Sequence, residues 1–299
     1  MLQIGVGWAG VDTLIRVKRL IVNADDFGLT SGVNRAILEL HEQGVLTSTT
    51  LMANAAATAE AVEIALATST LGVGCHVVLV DGEPVLPVSE IPALVEPETG
   101  RFFPTLGKFL KHIYGSVGRR AAIATAIEAE AFAQLSRLKS KGVRLTHLDT
   151  HKHTHMFRPV LEPVLRAAVR AGVERIRNPF EPQWAVAATP GAPAVRGLQV
   201  RVLRSFESGF RRRVAAAGLR TTDGAPGVLA TGTLDAGTVS SLLAALPDGV
   251  WELVTHPGYN DADLGRARTR LLAQREVEMQ ALGALAGAPG VELISFAEI

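Results

Sequence analysis

Histidines at alternate positions in the middle of the chain are the residues best suited to chemistry. Four of the eight histidines and one aspartate fall between residues 147 and 155. They are His147, Asp149, His151, His153 and His155. Alternate side chains of an extended strand share one face, so we predict that all five point the same way. This donor set is typical of a site for a divalent metal ion; the alternative is a solvated, histidine-rich loop.

A pair of adjacent carboxylates follows the first apolar run of the chain. Residues 23–28 read NADDFG, which contains Asn23, Asp25 and Asp26. Neighbouring carboxylates repel each other, so placing both at one strand end favours a counter-charge such as a metal ion. Because adjacent side chains point in different directions, one carboxylate can bind the ion while the other faces a substrate. The alternative is a plain turn, since the composition also suits one.

Two further histidines lie in or after apolar segments. His76 sits inside the apolar stretch 72–80, where a histidine with satisfied hydrogen bonds in the core is the alternative to a metal ligand. His256 follows the apolar stretch 250–255 and precedes Pro257 and Gly258, which turn the chain. Histidine titrates near neutrality, so His256 is suited to donate a proton to a leaving group. A solvent-facing histidine in a turn is the alternative.

Short apolar runs alternate with helical patterns throughout the chain. The strand candidates are 19–25, 47–52, 72–80, 143–149, 174–178, 228–232, 250–255 and 291–296. The main helical patterns are 31–43, 55–67, 119–141, 158–171, 198–217, 236–246 and 267–286, with Ser31 as N-cap and Gly44 as stop of the first. This alternation predicts an α/β fold with a parallel sheet, closed or nearly closed as a TIM-like (β/α) barrel, regular or distorted. An open doubly wound sheet is the alternative.

The chemically capable residues fall mainly at the carboxyl ends of the predicted strands. In a parallel barrel these ends share one face, where active sites form. Asp26, His76 and His151 would supply one carboxylate and two imidazoles, and three ligands plus water are usual for a catalytic divalent ion. The ion is Zn²⁺, Mn²⁺, Co²⁺ or Ni²⁺, or Mg²⁺, which prefers oxygen ligands. The spacing leaves open which of His151, His153 and His155 binds the ion.

Bulk composition excludes several classes of protein. The net charge is +1 and aromatic residues make up 5% of the 299 residues, which argues against a nucleic-acid partner. No run of 18 apolar residues occurs, so no membrane span is expected. The single cysteine, Cys75, and the lack of a signal sequence indicate the cytoplasm. We expect residues 1–18 to be an N-terminal extension and 19–299 to be one domain.

Five stretches of the chain together resemble the YdjC-like family of carbohydrate deacetylases, also called ChbG/HpnK. They are NADDFG at 23–28, TSTT at 47–50, GCH at 74–76, HLDTHKHTH at 147–155 and THPG at 255–258. The likeness runs from about residue 19 to the C-terminus, and the segment 78–87 is more similar to the HpnK side.

The resemblance implies a (β/α) barrel related to that of polysaccharide deacetylases, and removal of acetyl groups from N-acetylated sugars. By the same resemblance Asp25 would be the general base and His256 the general acid. Asp26, His76 and His151 would be the metal ligands. The resemblance also implies a homodimer.

We therefore expect a metal-dependent hydrolase that deacetylates an N-acetylated amino sugar or its conjugate, an oligosaccharide or glycolipid. One alternative is another metal-dependent barrel hydrolase, similar to amidohydrolases or phosphoesterases. The other is a non-catalytic protein that binds metal or sugar. The residues expected to support the ligands or contact the substrate are Asn23, His147, Asp149, His153, His155 and Arg177.

Overall fold

A single parallel sheet organises the protein. The computed structural model describes residues 17–189 and 194–299, so most of the predicted N-terminal extension lies outside the described residues. The strands within that part of the chain are β1 (Lys18–Phe27), β2 (Ser48–Leu51), β3 (Gly72–Val77), β4 (Leu148–Thr150), β5 (Gly249–Thr255) and β6 (Val291–Leu293). Their order is β4-β3-β2-β1-β5, with β6 paired to the beginning of β1, and every pairing is parallel.

Single bridges close this sheet into a barrel. Between β4 and β5 the chain passes twice beside the sheet, at 174–178 and at 220–226. The bridges join Leu148 to Ile176, Arg175 to Arg220, and Gly224 to Trp251. Backbone hydrogen bonds therefore continue from β4 around to β5, which pairs with β1. The fold is the predicted distorted TIM-like barrel and not the open doubly wound sheet.

Helices surround the sheet. They are α1 (Ser31–Glu42), α2 (Thr58–Ala67), α3 (Leu106–Gly115), α4 (Arg120–Ser140), α5 (Arg158–Ala171), α6 (Gln183–Ala188), α7 (Ala194–Arg204), α8 (Glu207–Ala216), α9 (Ala236–Ala245), α10 (Ala262–Arg266) and α11 (Ala273–Leu282). Helix α5 matches its predicted range and ends at Gly172, which has a left-handed φ of 68°. No helix in the described ranges has both the length and the hydropathy needed to cross a membrane.

Helix α1 begins one residue earlier than its predicted cap implies. Thr30, not Ser31, is the N-cap, and its side chain accepts a hydrogen bond from the backbone N–H of Val33. Gly44 follows the helix with a φ of 72°, as a stop residue should. This cap fixes the end of the NADDFG loop, because Asn34 in the first turn of α1 accepts a hydrogen bond from Gly28 N–H at 2.7 Å.

The strand predicted at 228–232 is wrong, because this segment forms turns. The backbone N–H groups of Gly227 and Leu229 donate to the buried carboxylate of Glu181 and not to a neighbouring strand. The turns bring Val228 and Thr231 to the wall of a cavity that is also lined by Asp25, Asp26 and His76.

Two predicted helices differ from the structure. The pattern at 198–217 is two helices, α7 and α8, interrupted near Ser205, whose hydroxyl bonds back to the carbonyl of Val202 at 2.7 Å. The pattern at 267–286 becomes helical only at Ala273. Residues 267–272 instead form an irregular loop that contributes four cavity-lining residues, 268–271.

Candidate functional site

The first strand ends in a bulge that turns both adjacent aspartates towards the mouth of the barrel. The register between β1 and β2 shifts between Ala24 and Phe27, and Asp26 has a left-handed φ of 65°. In a regular strand the two neighbouring side chains would point to opposite faces. With the bulge, Asp25 and Asp26 line one cavity although both are buried.

Asp26, His76 and His151 meet at this end of the barrel. Asp26 Oδ1 lies 3.5 Å from His76 Nε2 and 3.4 Å from His151 Nδ1, and the two imidazole nitrogens are 3.2 Å apart. A tetrahedral ion with nitrogen and oxygen ligands at about 2.1 Å spaces those ligand atoms about 3.4 Å apart. The three residues therefore have the donor atoms and the spacing that a divalent metal ion requires.

Buried partners orient two of these three side chains. Arg275 donates from Nη2 to Asp26 Oδ2 at 2.6 Å, which leaves Oδ1 directed at the two histidines. Asp149 Oδ1 lies 2.7 Å from His76 Nδ1, which leaves Nε2 as the free donor atom. A carboxylate behind a ligating histidine is the usual way to fix the ring and its tautomer. Asp149 thus occupies the supporting position expected from the sequence.

The two histidines of the trio differ in their protonation. Burial would lower the pKa of His76, but the nearby carboxylate of Asp149 outweighs it and raises that pKa to about 9. For His151, burial is the larger effect and lowers the pKa, so its ring is neutral. A metal ion must therefore displace a proton from His76 before it can bind Nε2.

A buried arginine at the centre of the barrel joins three carboxylates. Arg177 donates two hydrogen bonds to Asp25, at 2.6 and 2.8 Å, and one to Glu252 at 2.7 Å. It also contacts Asp149. Burial raises the pKa of Glu252 to about 7 against the opposing effect of Arg177. Arg177 thereby connects Asp149, the hydrogen-bond partner of His76, to Asp25.

Asp25 itself is fixed by four hydrogen bonds. Besides the two from Arg177, its Oδ1 accepts from Asn23 Nδ2 at 3.0 Å and from Thr50 Oγ1 at 3.1 Å. Burial alone would raise the pKa of Asp25, but Arg177 and the nearby imidazoles hold it well below its usual range. Asp25 is therefore an anion at neutral pH, and it can accept a proton only from a group placed against it.

His256 faces Asp25 across the cavity. Its Nε2 lies 3.8 Å from Asp25 Oδ2, and its Nδ1 lies 3.7 Å from Glu278 Oε2. These are ion-pair distances, not hydrogen bonds. Burial would lower the pKa of His256, but Glu278 overcomes this effect and raises it. The imidazole therefore holds its proton more strongly than an ordinary histidine does, and the cation can give up that proton.

The prediction that His147, Asp149, His151, His153 and His155 share one face is wrong beyond residue 150. Strand β4 ends at Thr150, and residues 151–156 form a 3₁₀ turn in which Lys152 and His153 have left-handed φ values of 56° and 51°. The alternation of an extended strand cannot continue through such a turn. The turn nevertheless keeps His151 and His153 at the cavity.

The outer two histidines of the motif lie away from the cavity. His147 is buried and stacks on Phe296, with ring centroids 3.8 Å apart. His155 is also buried, with Nδ1 2.8 Å from Thr150 Oγ1 and Nε2 3.2 Å from the carbonyl oxygen of Arg177. Neither lines the cavity. Their contacts are those of core residues, and His155 also holds the backbone that carries Arg177.

The cavity that contains these groups has a volume of about 530 Å³. Its floor is formed by Asp25, Asp26, His76, His151, His153 and His256. Its rim carries Lys152 and Arg268, which pair with Asp81 at 2.7 and 3.6 Å, together with Arg270. The volume falls within the range of about 300–1,000 Å³ typical of small-molecule sites.

Sequence reasoning missed Arg275, Glu278 and Glu252. All three are buried charged residues of otherwise ordinary segments. One weak signal for Arg275 is Gly258 in the THPG stretch. The Arg275 side chain packs against this glycine, and a Cβ at Gly258 would lie 3.1 Å from Arg275 Cδ. The glycine therefore makes room for the arginine as well as turning the chain.

Comparison with known proteins agrees with this architecture. A family model described as YdjC-like protein matches residues 19–285. A carbohydrate deacetylase of Brevibacillus brevis is 42% identical over 132 residues, which cover 44% of this chain and 48% of that protein. One of Geobacillus stearothermophilus is 45% identical over 130 residues, covering 44% and 47%. In these two alignments the chain spans about half the length of each relative.

Longer matches cover nearly the whole described barrel. A carbohydrate deacetylase of Thermoanaerobacter pseudethanolicus is 27% identical over 266 residues, covering 89% of this chain and 91% of that protein. A crystal structure from Enterococcus faecalis V583, described as a candidate cellobiose-phosphate cleavage protein, has a TM-score of 0.73 at 24% identity and covers 94% of this chain and 98% of its own. That likeness supports the fold. Because the family model spans most of the sequence, the chain belongs to the family of YdjC-like proteins.

Proposed function

We propose that the protein is a metal-dependent carbohydrate deacetylase that hydrolyses the acetamide of an N-acetylated amino sugar or its conjugate. One observation carries the proposal: a single cavity is lined by the Asp26–His76–His151 trio and, beside it, by Asp25 and His256. Relatives named carbohydrate deacetylase support the choice of substrate. We also propose that residues 19–299 act as one domain and that the protein is a homodimer.

In this proposal Asp25 is the general base and His256 the general acid. Asp25 is anionic and faces the cavity, so it can take a proton from an attacking water. His256 is favoured as a cation, so it can protonate the departing amine nitrogen as the C–N bond breaks. Asp25 Oδ2 and His256 Nε2 lie 3.8 Å apart, so one reacting centre beside them would be within reach of both groups.

Asp26, His76 and His151 would hold a divalent ion, Zn²⁺, Mn²⁺, Co²⁺, Ni²⁺ or Mg²⁺. Such an ion, when bound, polarises the acetyl carbonyl and offsets the negative charge that develops on its oxygen. Asn23, Thr50 and Arg177 keep Asp25 from rotating away.

His153 is the best candidate for direct contact with the sugar. It lines the cavity, and its Nδ1 is buried without a hydrogen-bond partner in the described structure. Burial lowers the pKa of His153 well below its usual range, so the ring is neutral and can accept or donate one hydrogen bond. A hydroxyl or acetamide of the substrate fits the part of this half-buried ring that lines the cavity.

The test is release of acetate from N-acetylglucosamine and its oligomers by the purified protein. Activity should disappear with EDTA and return when a divalent ion is added. Asp25→Asn and His256→Ala should each lower turnover by about 10²–10⁴ while the variants remain folded. His112→Gln is the control, since the His112 ring bonds the Ala93 carbonyl, stacks on Phe103 and does not line the cavity. Full turnover in either site variant would refute its assigned role.

Two other functions use the same cavity. A different metal-dependent hydrolase would act on phosphoesters or cyclic amides, so these are assayed beside the acetylated sugars. A protein that only binds metal or sugar would release no acetate from any of them. The presence of Asp25 favours catalysis, because binding an ion through the trio leaves this second carboxylate without a purpose.

A further inference from the structure

Helix α11 carries a buried acid that contacts both the backbone and the ring of His256. Glu278 is 1% exposed. Its Oε2 accepts a hydrogen bond from the backbone N–H of His256 at 2.6 Å, and its Oε1 accepts one from Gly232 N–H at 3.0 Å. One carboxylate therefore ties the end of β5 to the turns at 228–232 that form part of the cavity wall.

The imidazole of His256 lies between two carboxylates. Glu278 Oε2 is 3.7 Å from Nδ1, and Asp25 Oδ2 is 3.8 Å from Nε2. Both ring nitrogens carry a proton in the cationic form, so that form faces an anion at each end. The other charged or titratable groups acting on this ring are Asp26, from the end of β1, and His153, from the turn after β4.

We propose that Glu278 is the positioning residue of His256: it fixes the His256 backbone at the end of β5 and keeps the imidazole in the cationic form that protonates the leaving amine. This inference rests on the proposed function. Glu278 does not line the cavity, so it acts on the reaction only through His256.

The geometry separates two contributions of Glu278. The hydrogen bond from the His256 N–H requires only an acceptor oxygen, which an amide also provides. The effect on the ring requires the negative charge, because at 3.7 Å it is electrostatic. Glu278→Gln therefore keeps an acceptor oxygen for the His256 N–H, gives up the bond from Gly232 N–H and removes the charge, and Glu278→Asp retains the charge on a shorter side chain.

The first measurement is the pKa of His256 in the whole protein without substrate, followed by NMR and assigned by comparison with His256→Gln. In the wild type we expect it above the ordinary value of 6.5, and in Glu278→Gln we expect it to fall. Glu278→Asp should retain part of the elevation. A wild-type value at or below 6.5 overturns the proposal, and this result does not depend on any variant folding.

The second measurement is the pH profile of acetate release. Above the pKa of the acid, each unit by which that pKa falls removes about tenfold of the protonated imidazole. The alkaline limb for Glu278→Gln should therefore move to lower pH by the shift seen by NMR, with kcat lowered and KM unchanged. A purely structural role would lower the melting temperature and leave the profile in place, which would refute the proposal.

Glu130→Gln is the matched control. Glu130 is also fully buried, and its carboxylate likewise accepts backbone N–H bonds, from Val85 and Leu86 at 2.8 and 3.0 Å, but it lies outside the cavity. It should leave the His256 pKa and the pH profile unchanged. If the wild type releases no acetate, the proposed function fails, whereas an unshifted profile in an active Glu278→Gln enzyme removes only the role of Glu278.

Discussion

Removing Arg177 should destabilise the barrel more than removing any surface arginine. In Arg177→Met, Glu252 loses its cation, Asp25 keeps only the nearby imidazoles, and Asp149 keeps only His76. Breaking one buried ion pair by deleting a partner costs about 3–5 kcal/mol, because the remaining charge stays buried. With three carboxylates affected, we expect the free energy of unfolding to fall by at least about 3 kcal/mol at pH 8.

The loss of unfolding free energy in Arg177→Met should become smaller as the pH falls. Without Arg177, burial raises the pKa of these carboxyl groups in the folded state above their unfolded values. The folded protein then binds more protons than the unfolded chain, so stability decreases as the pH rises through the folded-state pKa values. The deficit of Arg177→Met relative to the wild type should therefore be larger at pH 8 than at pH 5.

The assay is urea unfolding at pH 5 and pH 8 in the presence of EDTA, followed by circular dichroism. The control is Arg166→Met, whose partner Glu128 is near the surface and whose pair is worth about 0.2–1 kcal/mol. Arg177→Lys retains the positive charge without the fork geometry of the guanidinium. Its loss of unfolding free energy should lie between those of Arg177→Met and Arg166→Met. A deficit for Arg177→Met no larger than that of Arg166→Met, or one equal at both pH values, would refute the reasoning.

Three other outcomes are expected. His151→Ala should abolish tight binding of Zn²⁺ measured by calorimetry, whereas His155→Ala should lower stability and leave the affinity for Zn²⁺ largely intact. Because the pKa of His76 is about 9, Zn²⁺ binding should release a proton and tighten as the pH rises from 6 to 9; a binding enthalpy independent of the buffer's ionisation enthalpy would contradict this. Gly74→Ala should cost about 1–3 kcal/mol in thermal unfolding, because the new Cβ would lie 2.5 Å from the ring of His147; a wild-type melting temperature would show that the ring moves freely.

The sequence was informative where parallel-barrel geometry alone decides the outcome. Asp26, His76 and His151 were predicted to meet because residues after parallel strands share one end of a barrel, and their donor atoms lie within 3.5 Å of one another. The metal ligation and catalytic roles themselves remain predictions. The alternation rule failed after Thr150, because two consecutive left-handed residues replace the strand by a turn.

The remaining parts of the site depend on tertiary contacts that local patterns do not encode. Arg275 and Glu278 lie one turn apart on a short helix, and nothing in its sequence distinguishes a buried charge from a solvated one. The barrel-closing pass at 174–178 was predicted as a short strand, whereas the pass at 220–226 was missed because its sequence shows little of the apolar periodicity of a strand.

The single bridges between β4 and β5 separate the part of the barrel that carries Asp26, His76 and His151 from a part of the cavity wall that no strand ladder holds. The proposed metal ligands come from β1, from β3 and from the turn that follows β4, on the side where ladders of three or four residue pairs hold the sheet. The segment 227–233, which borders the cavity, is held instead by hydrogen bonds from its backbone N–H groups to the carboxylates of Glu181 and Glu278. Few ladder bonds would be lost if this segment changed in length. A change in the length of this segment should therefore reshape the cavity wall around Val228 and Thr231 while Asp26, His76 and His151 stay in place.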